Sequence, residues 1–171
     1  QRFVLSEFTQ FGTNIITITP GKINTHGGSL GAIGSARLLT IEDAMALRQS
    51  RHAEYINASV VGNAEIRAQG RSRRVTAYGQ GPDFAKAFNM QVEIGQFLPD
   101  DDPRNPRAYA VLGAKVRAEI FGDTNPLGAI LQVGGSRFRV IGVMASKGQV
   151  LGFDLDDTVF IPTTRALEVF N

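Results

Sequence analysis

Two predicted β-hairpins, each built around a glycine-containing turn, constrain the fold of this chain more than any other feature of its sequence. The first runs through AEIRAQ-GRS-RRVTAYG, with its turn at Gly70 to Ser72, and the second runs through AILQV-GGS-RFRVIGV. Alternating apolar and polar residues flank both turns, which is the pattern of half-buried strands. Because short helical patterns separate the hairpins irregularly, the sequence predicts an α+β domain with mixed sheets rather than a doubly wound parallel fold.

Capping signals place several helices between the predicted strands. Thr40 is predicted to cap a helix, with Asp43 as the acid of a capping box. A helix over AKVRAEIF is predicted to end at Gly122, and a final helix to begin at Thr163. Residues 55–61, YINASVV, alternate as a strand.

Composition excludes several classes of function. The 171 residues include no cysteine, which excludes thiol catalysis, cysteine-based zinc sites and disulfides. The net charge of +2 is too small to predict nucleic-acid binding. No apolar run approaches the roughly 18 residues that cross a bilayer. The chain opens inside a helical pattern and ends without a capping signal, so we expect a piece cut from a longer protein.

The segment HGGSLGAIG, residues 26–34, contains the Gly-x-Ser-x-Gly pattern of serine hydrolases around Ser29. A nucleophile elbow needs a strand directly before the serine and a helix directly after it, and neither is predicted here. Asp43 and His52 follow in the nominal order of a triad but at too short a spacing. The glycines also fail the spacing of phosphate-binding loops. A flexible loop over residues 22–37 is therefore favoured, and the hydrolase is a remote alternative.

The titratable clusters predict no metal site or catalytic site. Asp100 to Asp102 are consecutive, so their side chains diverge, and a solvated turn is favoured over a calcium loop. Asp154, Asp156 and Asp157 lack the glycine and glutamate of an EF-hand. His26 and His52 stand without the spacing of zinc ligands. We therefore predict no catalytic residue, no metal ligand and no cofactor in this domain.

Four arginines crowd the first hairpin. Arg67, Arg71, Arg73 and Arg74 suggest an electrostatic patch for an acidic partner. The alternative, which we favour, is a solvated hairpin whose charges prevent edge pairing. Nucleic acid is not expected as a partner, because aromatic residues are not interleaved with the arginines.

Several segments together resemble the periplasmic core domain of MacB-like ABC transporter permeases, which belong to the FtsX-like superfamily. Their shared order and spacing carry the resemblance across nearly the whole chain. The segments are FGTNIITITPG, LLTIEDAMAL, YGQGPDFAKAFNMQVEIGQFLPDDD, AVLGAKVRAEIFGDTNPLGAILQVGGSRFRVIGVMASKG and DDTVFIPTTRA.

The resemblance implies a domain of two lobes on the periplasmic side of the bacterial inner membrane. A mixed α/β porter-like lobe is expected from residues 1–79 and 137–171, with a smaller β-rich lobe inserted at 80–136. The implied partners are a second permease protomer, a cytoplasmic ATP-binding domain or subunit, a periplasmic adaptor protein and, indirectly, an outer-membrane channel. The implied function is mechanotransmission, in which the domain moves with the ATPase cycle to export a substrate.

The first residues of the chain have an expected place in such a permease. Phe3, Val4, Phe8 and Phe11 fall near one face of an amphipathic pattern and are predicted to form a stalk that packs on the domain and the neighbouring protomer. The periplasmic domain of a lipoprotein-releasing permease remains the alternative within this class. A freestanding periplasmic ligand-binding protein is a third interpretation.

Overall fold

The structure, a computed structural model, describes residues 39–150 and 152–170. Its helices are α1 (Ile41–Leu47), α2 (Phe84–Ala87), α3 (Ala114–Phe121) and α4 (Thr163–Phe170). Its strands are β1 (Val60–Ala68), β2 (Arg71–Gln80), β3 (Val92–Gly95), β4 (Tyr109–Leu112), β5 (Ile130–Val133), β6 (Ser136–Met144), β7 (Gln149–Val150), β8 (Phe153–Asp154) and β9 (Thr158–Pro162). This mixture of helices and strands confirms the predicted α+β class.

Seven of these strands form one mixed sheet in the order β3-β6-β4-β9-β2-β1-β5. An additional pairing of β5 with β6 closes six of these strands into a ring, in the order β6-β4-β9-β2-β1-β5. Strand β3 pairs with β6 but is not part of the ring. The pairs β2–β9 and β4–β6 are parallel, and the other pairs are antiparallel. Strands β7 and β8 form a small separate hairpin.

Both predicted hairpins are present, with one displaced turn. The β1–β2 turn consists of Gln69 and Gly70, which have φ angles of 54° and 70°, rather than Gly70 to Ser72. The second hairpin turns at Gly134 and Gly135, between β5 and β6. The predicted strand at residues 55–61 is wrong over most of its length, because β1 begins only at Val60.

Two apolar cores lie on opposite sides of the sheet. The larger core includes Ile66 of β1, Leu131 of β5 and Phe138 of β6, and α3 and α4 contribute Val116 and Ala166 to it. The smaller core forms around the aromatic residues Tyr78, Phe84 and Phe160, where α2 covers the other side of the sheet. Alternation along β9 serves both cores, since Val159 and Ile161 belong to the first and Phe160 to the second.

The span 80–136, predicted as an inserted lobe, contributes β3, β4 and β5 to the common sheet. Strand β4 pairs with β6 and β9, and β5 pairs with β1 and β6. In the described residues these strands therefore share hydrogen bonds with both flanking segments. The boundary of a second lobe stays a prediction. Within the same residues, no helix has both the length and the apolar character needed to cross a membrane.

Candidate functional site

A cleft that is partly open to solvent lies between α1, the beginning of α4 and the loop at residues 98–106. The walls are mainly apolar and rich in proline. Helix α1 contributes Ile41, Ala44 and Met45, and the facing wall contains Leu98, Pro99, Pro103, Pro106 and Pro162.

Helix α1 forms because its first turn is capped as the sequence predicts. The Thr40 hydroxyl accepts a hydrogen bond from the Asp43 backbone N–H at 3.2 Å, and the Asp43 carboxylate accepts one from the Thr40 N–H at 2.8 Å. None of its seven residues is buried. Arg48, which follows the helix, lies 3.6 Å from the carboxylates of both Asp83 and Asp100. Since exposed ion pairs contribute little, α1 is the least firmly anchored wall of the cleft.

A polar network fixes the floor of the cleft. Gln80 is 3% exposed, and its side-chain oxygen accepts hydrogen bonds from Asn57 and from the Ser59 hydroxyl, the latter at 2.8 Å. The side-chain oxygen of Asn57 in turn accepts a hydrogen bond from the Gly81 N–H at 2.7 Å. The Asn57 side chain thus satisfies the Gly81 N–H, a backbone group beyond the last pair of the β1–β2 ladder.

The polar groups that line the cleft are paired within the protein. The Asp101 carboxylate forms a fork with the Arg107 guanidinium, at 2.7 Å for the closest pair of atoms, and this pairing lowers the pKa of Asp101. The hydroxyls of Thr163 and Thr164 donate to backbone carbonyls. The cleft therefore offers an apolar binding surface, and its described residues contain no nucleophile paired with a base.

The sequence did not reveal this cleft, although a signal was present. Pro99, Pro103 and Pro106 surround the acidic run, and prolines at this density stiffen a loop enough to form a wall. The three aspartates of this run have separate partners. Asp102 accepts a hydrogen bond from the Arg104 backbone N–H, Asp100 faces Arg48, and Asp101 faces Arg107. Asp100 and Asp102 are exposed, whereas the Asp101 side chain is 17% exposed, and the turn lies directly after the run, at Pro103 and Arg104.

The residues of the hydrolase hypothesis do not form a triad in the described part of the chain. Asp43 uses its carboxylate to cap α1, and His52 lies exposed beyond that helix. Ser29 and His26 lie outside the described residues, as does the glycine-rich loop at 22–37. The predicted stalk residues Phe3, Val4, Phe8 and Phe11 also lie outside them.

The four hairpin arginines do not share one surface. Cross-strand pairing of Glu65 with Arg74 and of Arg67 with Ser72 places Arg67 and Arg74 on the outer side of the sheet. Arg71 and Arg73 alternate to the opposite side. There, Arg71 donates to the backbone carbonyl of Glu119 in α3 at 3.3 Å. The structure thus divides the predicted patch into two pairs.

Arg73 forms a forked ion pair with Asp157. Its guanidinium donates two hydrogen bonds to the Asp157 carboxylate, at 2.9 and 2.8 Å, which joins β2 to the turn before β9. These hydrogen bonds, together with the charge of Arg73 and that of Lys115 at 3.9 Å, hold the pKa of Asp157 below its ordinary value. A forked pair with both side chains about three-quarters buried is stronger than a surface pair.

The neighbouring aspartates also have structural partners. Burial alone would raise the pKa of Asp156, but hydrogen bonds from the Ser146 hydroxyl and from the backbone N–H groups of Lys147 and Gly148 outweigh it and lower the pKa. Asp154 accepts the backbone N–H of Asp156 at 3.0 Å. This acidic group therefore closes turns rather than converging on one point.

We expect Asp157→Asn to flatten the acid limb of the stability curve. Because the folded-state pKa of Asp157 is lowered, its contribution is complete above the unfolded pKa of about 3.9 and is lost as the pH falls through the folded value. The variant should lose about 1–2 kcal/mol of unfolding free energy at neutral pH. Urea unfolding of the 171-residue chain between about pH 2 and 7 measures both effects. The exposed Asp123→Asn serves as the control, and equal acid slopes in the two variants would contradict the prediction.

Comparisons with solved structures define the class of the fold. The periplasmic region of MacB from Actinobacillus actinomycetemcomitans superposes with a TM-score of 0.76 and 23% identity, covering 98% of this chain and 73% of that one. The extracellular domain of the ABC-type transporter YknZ from Gram-positive bacteria gives a TM-score of 0.65 at 23% identity, covering 77% of this chain and 66% of that one. The fold is therefore that of an extracytoplasmic domain of ABC transporters.

Sequence comparisons define the family. The family model of the MacB-like periplasmic core domain matches residues 1–171, and the chain belongs to this family. The macrolide export ATP-binding/permease protein MacB of Azoarcus sp. (strain BH72) is 32% identical over 168 residues, which cover 97% of this chain and 25% of that protein. The pyoverdine export ATP-binding/permease protein PvdT of Pseudomonas syringae pv. syringae (strain B728a) is 30% identical, with 97% and 24% covered. The chain thus spans about a quarter of the length of these relatives.

Proposed function

We propose that this periplasmic core domain transmits conformational change from an ATP-binding partner to periplasmic partners during export of a substrate. The observation that carries the proposal is the family match over all 171 residues. The parent protein is then a permease whose two protomers each present one copy of this domain, with an adaptor protein and an outer-membrane channel as further partners. ATP hydrolysis takes place in a separate domain or subunit.

The architecture supports a domain that moves as a stiff body. The strand pairings close on themselves and both sides of the sheet carry a core, so force applied to one strand is shared by its neighbours. The Arg73–Asp157 fork adds a further connection between β2 and the turn that precedes β9. A body of this kind can transmit a rigid rotation from one partner to another.

Export is favoured over lipoprotein release because the names of the similar relatives describe export of macrolides and of pyoverdine. Those substrates belong to the relatives. The apolar cleft beneath α1 is compatible with contact to an apolar group, since its walls are dominated by aliphatic side chains.

Spin-label distances in the full-length protein test the proposal. The chain has no cysteine, so Asp123→Cys introduces one thiol per copy of the domain at an exposed position. After other cysteines of the parent protein are replaced, the distance between protomers should differ between the nucleotide-free and ATP-bound states. Coupling requires such a difference, because a partner responds only if the two states bind it differently.

A second pair of labels within one domain provides the control. Asn63→Cys combined with Asp123→Cys, in labelled protomers diluted with unlabelled ones, should give the same distance in both states. If the distance between protomers stayed constant while ATP was hydrolysed, mechanotransmission by this domain would be excluded. A change within the domain alone would replace the stiff-body mechanism by an internal rearrangement.

A further inference from the structure

The outer side of β1, β2, β5 and β6 collects arginines from both hairpins. Leu131, Val133, Phe138 and Val140 point into the larger core, so the residues that alternate with them point outward. Arg137 and Arg139 of β6 are therefore on the same outer surface as Arg67 and Arg74. We call this surface the arginine face; its members are Arg67, Arg74, Gln132, Arg137, Arg139 and Ile130.

Strand register sets the spacing of the charges on the arginine face. Arg67 pairs with Gln132, which pairs in turn with Arg137, so these three residues form one row across β1, β5 and β6. Two strand spacings separate Arg67 from Arg137 by about 10 Å, and Arg137 and Arg139 are about 7 Å apart along their strand. The backbone hydrogen bonds of the sheet hold this spacing before any partner binds.

The positive charge of the arginine face is largely unopposed. Arg74, Arg137 and Arg139 are exposed and form no ion pair within the part of the chain that the structure describes, whereas Arg67 pairs with Glu65 at 2.6 Å. Among the residues that the structure describes, four arginines of this face accompany one carboxylate, although the whole chain carries a net charge of only +2. Ile130, which pairs with Arg139, is 50% exposed and places an apolar side chain among the cations.

We propose that the arginine face is a docking surface for an extended acidic segment of a partner protein, with carboxylates on alternate residues. Carboxylates at alternate positions of an extended chain recur about every 7 Å, which matches the separation of Arg137 and Arg139. Guanidinium groups bind carboxylates through forked hydrogen bonds, and Ile130 supplies the apolar contact that is typical of the centre of a protein interface.

A protein partner fits this surface better than a membrane does. The cations are all arginines, held on a rigid sheet around one modest aliphatic side chain. Surfaces that lie on membranes usually combine lysine or arginine with several large apolar side chains that enter the lipid. The same chemistry favours a partner that is already extended, because it can follow the row of arginines without reorganising the sheet.

Binding of a labelled peptide to the 171-residue chain tests the proposal. The probe is an alternating glutamate–threonine peptide of about ten residues, long enough to span the face. We expect binding at low salt that weakens as salt is added, and a loss of affinity of at least about tenfold in Arg137→Glu/Arg139→Glu. An alternating lysine–threonine peptide should not bind.

A matched double variant and a test with lipid vesicles separate binding at the arginine face from general charge effects and from membrane binding. Arg51→Glu/Lys86→Glu changes two exposed cations elsewhere by the same net charge and should weaken binding by less than about twofold. Equal losses in the two double variants, or unchanged binding in the first, would overturn the proposal. So would binding to phosphatidylglycerol vesicles that depends on Arg137 and Arg139 without binding of the acidic peptide. Arg137→Gln/Arg139→Gln repeats the test if the charge reversal impairs folding.

Discussion

Replacing Phe160 with alanine is expected to lower the unfolding free energy by about 3–5 kcal/mol. Phe160 is fully buried in β9, and its ring lies 5.5 Å from that of Phe84 and 5.8 Å from that of Phe97. It also stacks on Tyr78, the residue opposite it in β2, at 6.0 Å. Truncation removes buried apolar surface together with these aromatic contacts and leaves a cavity in the smaller core.

Thermal and urea unfolding of the 171-residue chain measure this loss. A domain of this size should melt roughly 10 °C lower in the Phe160→Ala variant. Phe153→Ala is the matched control, because Phe153 is 53% exposed and its ring meets the same cluster in an edge contact with Tyr78 at 6.4 Å. We expect it to cost less than about 1 kcal/mol. Similar losses in the two variants would show that Phe160 does not organise the smaller core.

Gly142→Ala is expected to destabilise the chain by at least about 2 kcal/mol. A Cβ atom at this position would lie 2.1 Å from the backbone oxygen of Gln96, where the chain leaving β3 crosses β6. Gly95, which precedes Gln96, has a φ of 74°, and a Cβ atom there would lie 2.2 Å from the backbone oxygen of Ile141. Because both obstacles are backbone atoms, no side-chain rotation relieves the contact, and β3 must separate from β6.

Gly135→Ala provides the control for this substitution. Gly135 lies in the turn between β5 and β6 and has no positive φ, and a Cβ atom added there would meet no neighbouring atom within 4 Å. Its replacement should change stability by no more than about 0.5 kcal/mol. Hydrogen exchange should show faster exchange at the β3–β6 amides in Gly142→Ala alone. Unchanged protection there, or equal stability of the two variants, would contradict a required close approach at Gly142.

The sequence predicted the elements whose signals are local. Thr40 and Asp43 form the predicted capping box, and Gly122 ends α3 with a φ of 55°. The final helix begins at Thr163 as expected. Each of these features depends on a few neighbouring residues that satisfy backbone groups or adopt a conformation suited to glycine. The family resemblance depends on the order of longer segments, and the family match over residues 1–171 confirmed it.

Contacts between residues that are far apart in the sequence could not be predicted from local signals. Nothing local to residues 55–59 shows that the side chains of Asn57 and Ser59 donate hydrogen bonds to the buried Gln80. The alternating pattern of these residues therefore predicted a strand that the structure does not contain. The cleft likewise combines α1 with a loop more than fifty residues further along the chain. The roles of Phe3, Val4, Phe8 and Phe11 stay predictions.

The sequence by itself determined the two hairpins, the helix caps and the family, because periodicity and turn chemistry are properties of neighbouring residues. Only the tertiary structure decided which strands pair and which side chains share a surface. The arginines show the physical reason: successive residues of a strand point to opposite sides, so a turn displaced by one residue exchanges the sides of a whole strand. The register of β1 and β2 places Arg74, rather than Arg73, on the side of Arg67, and the β5–β6 pairing brings Arg137 and Arg139 to the same side.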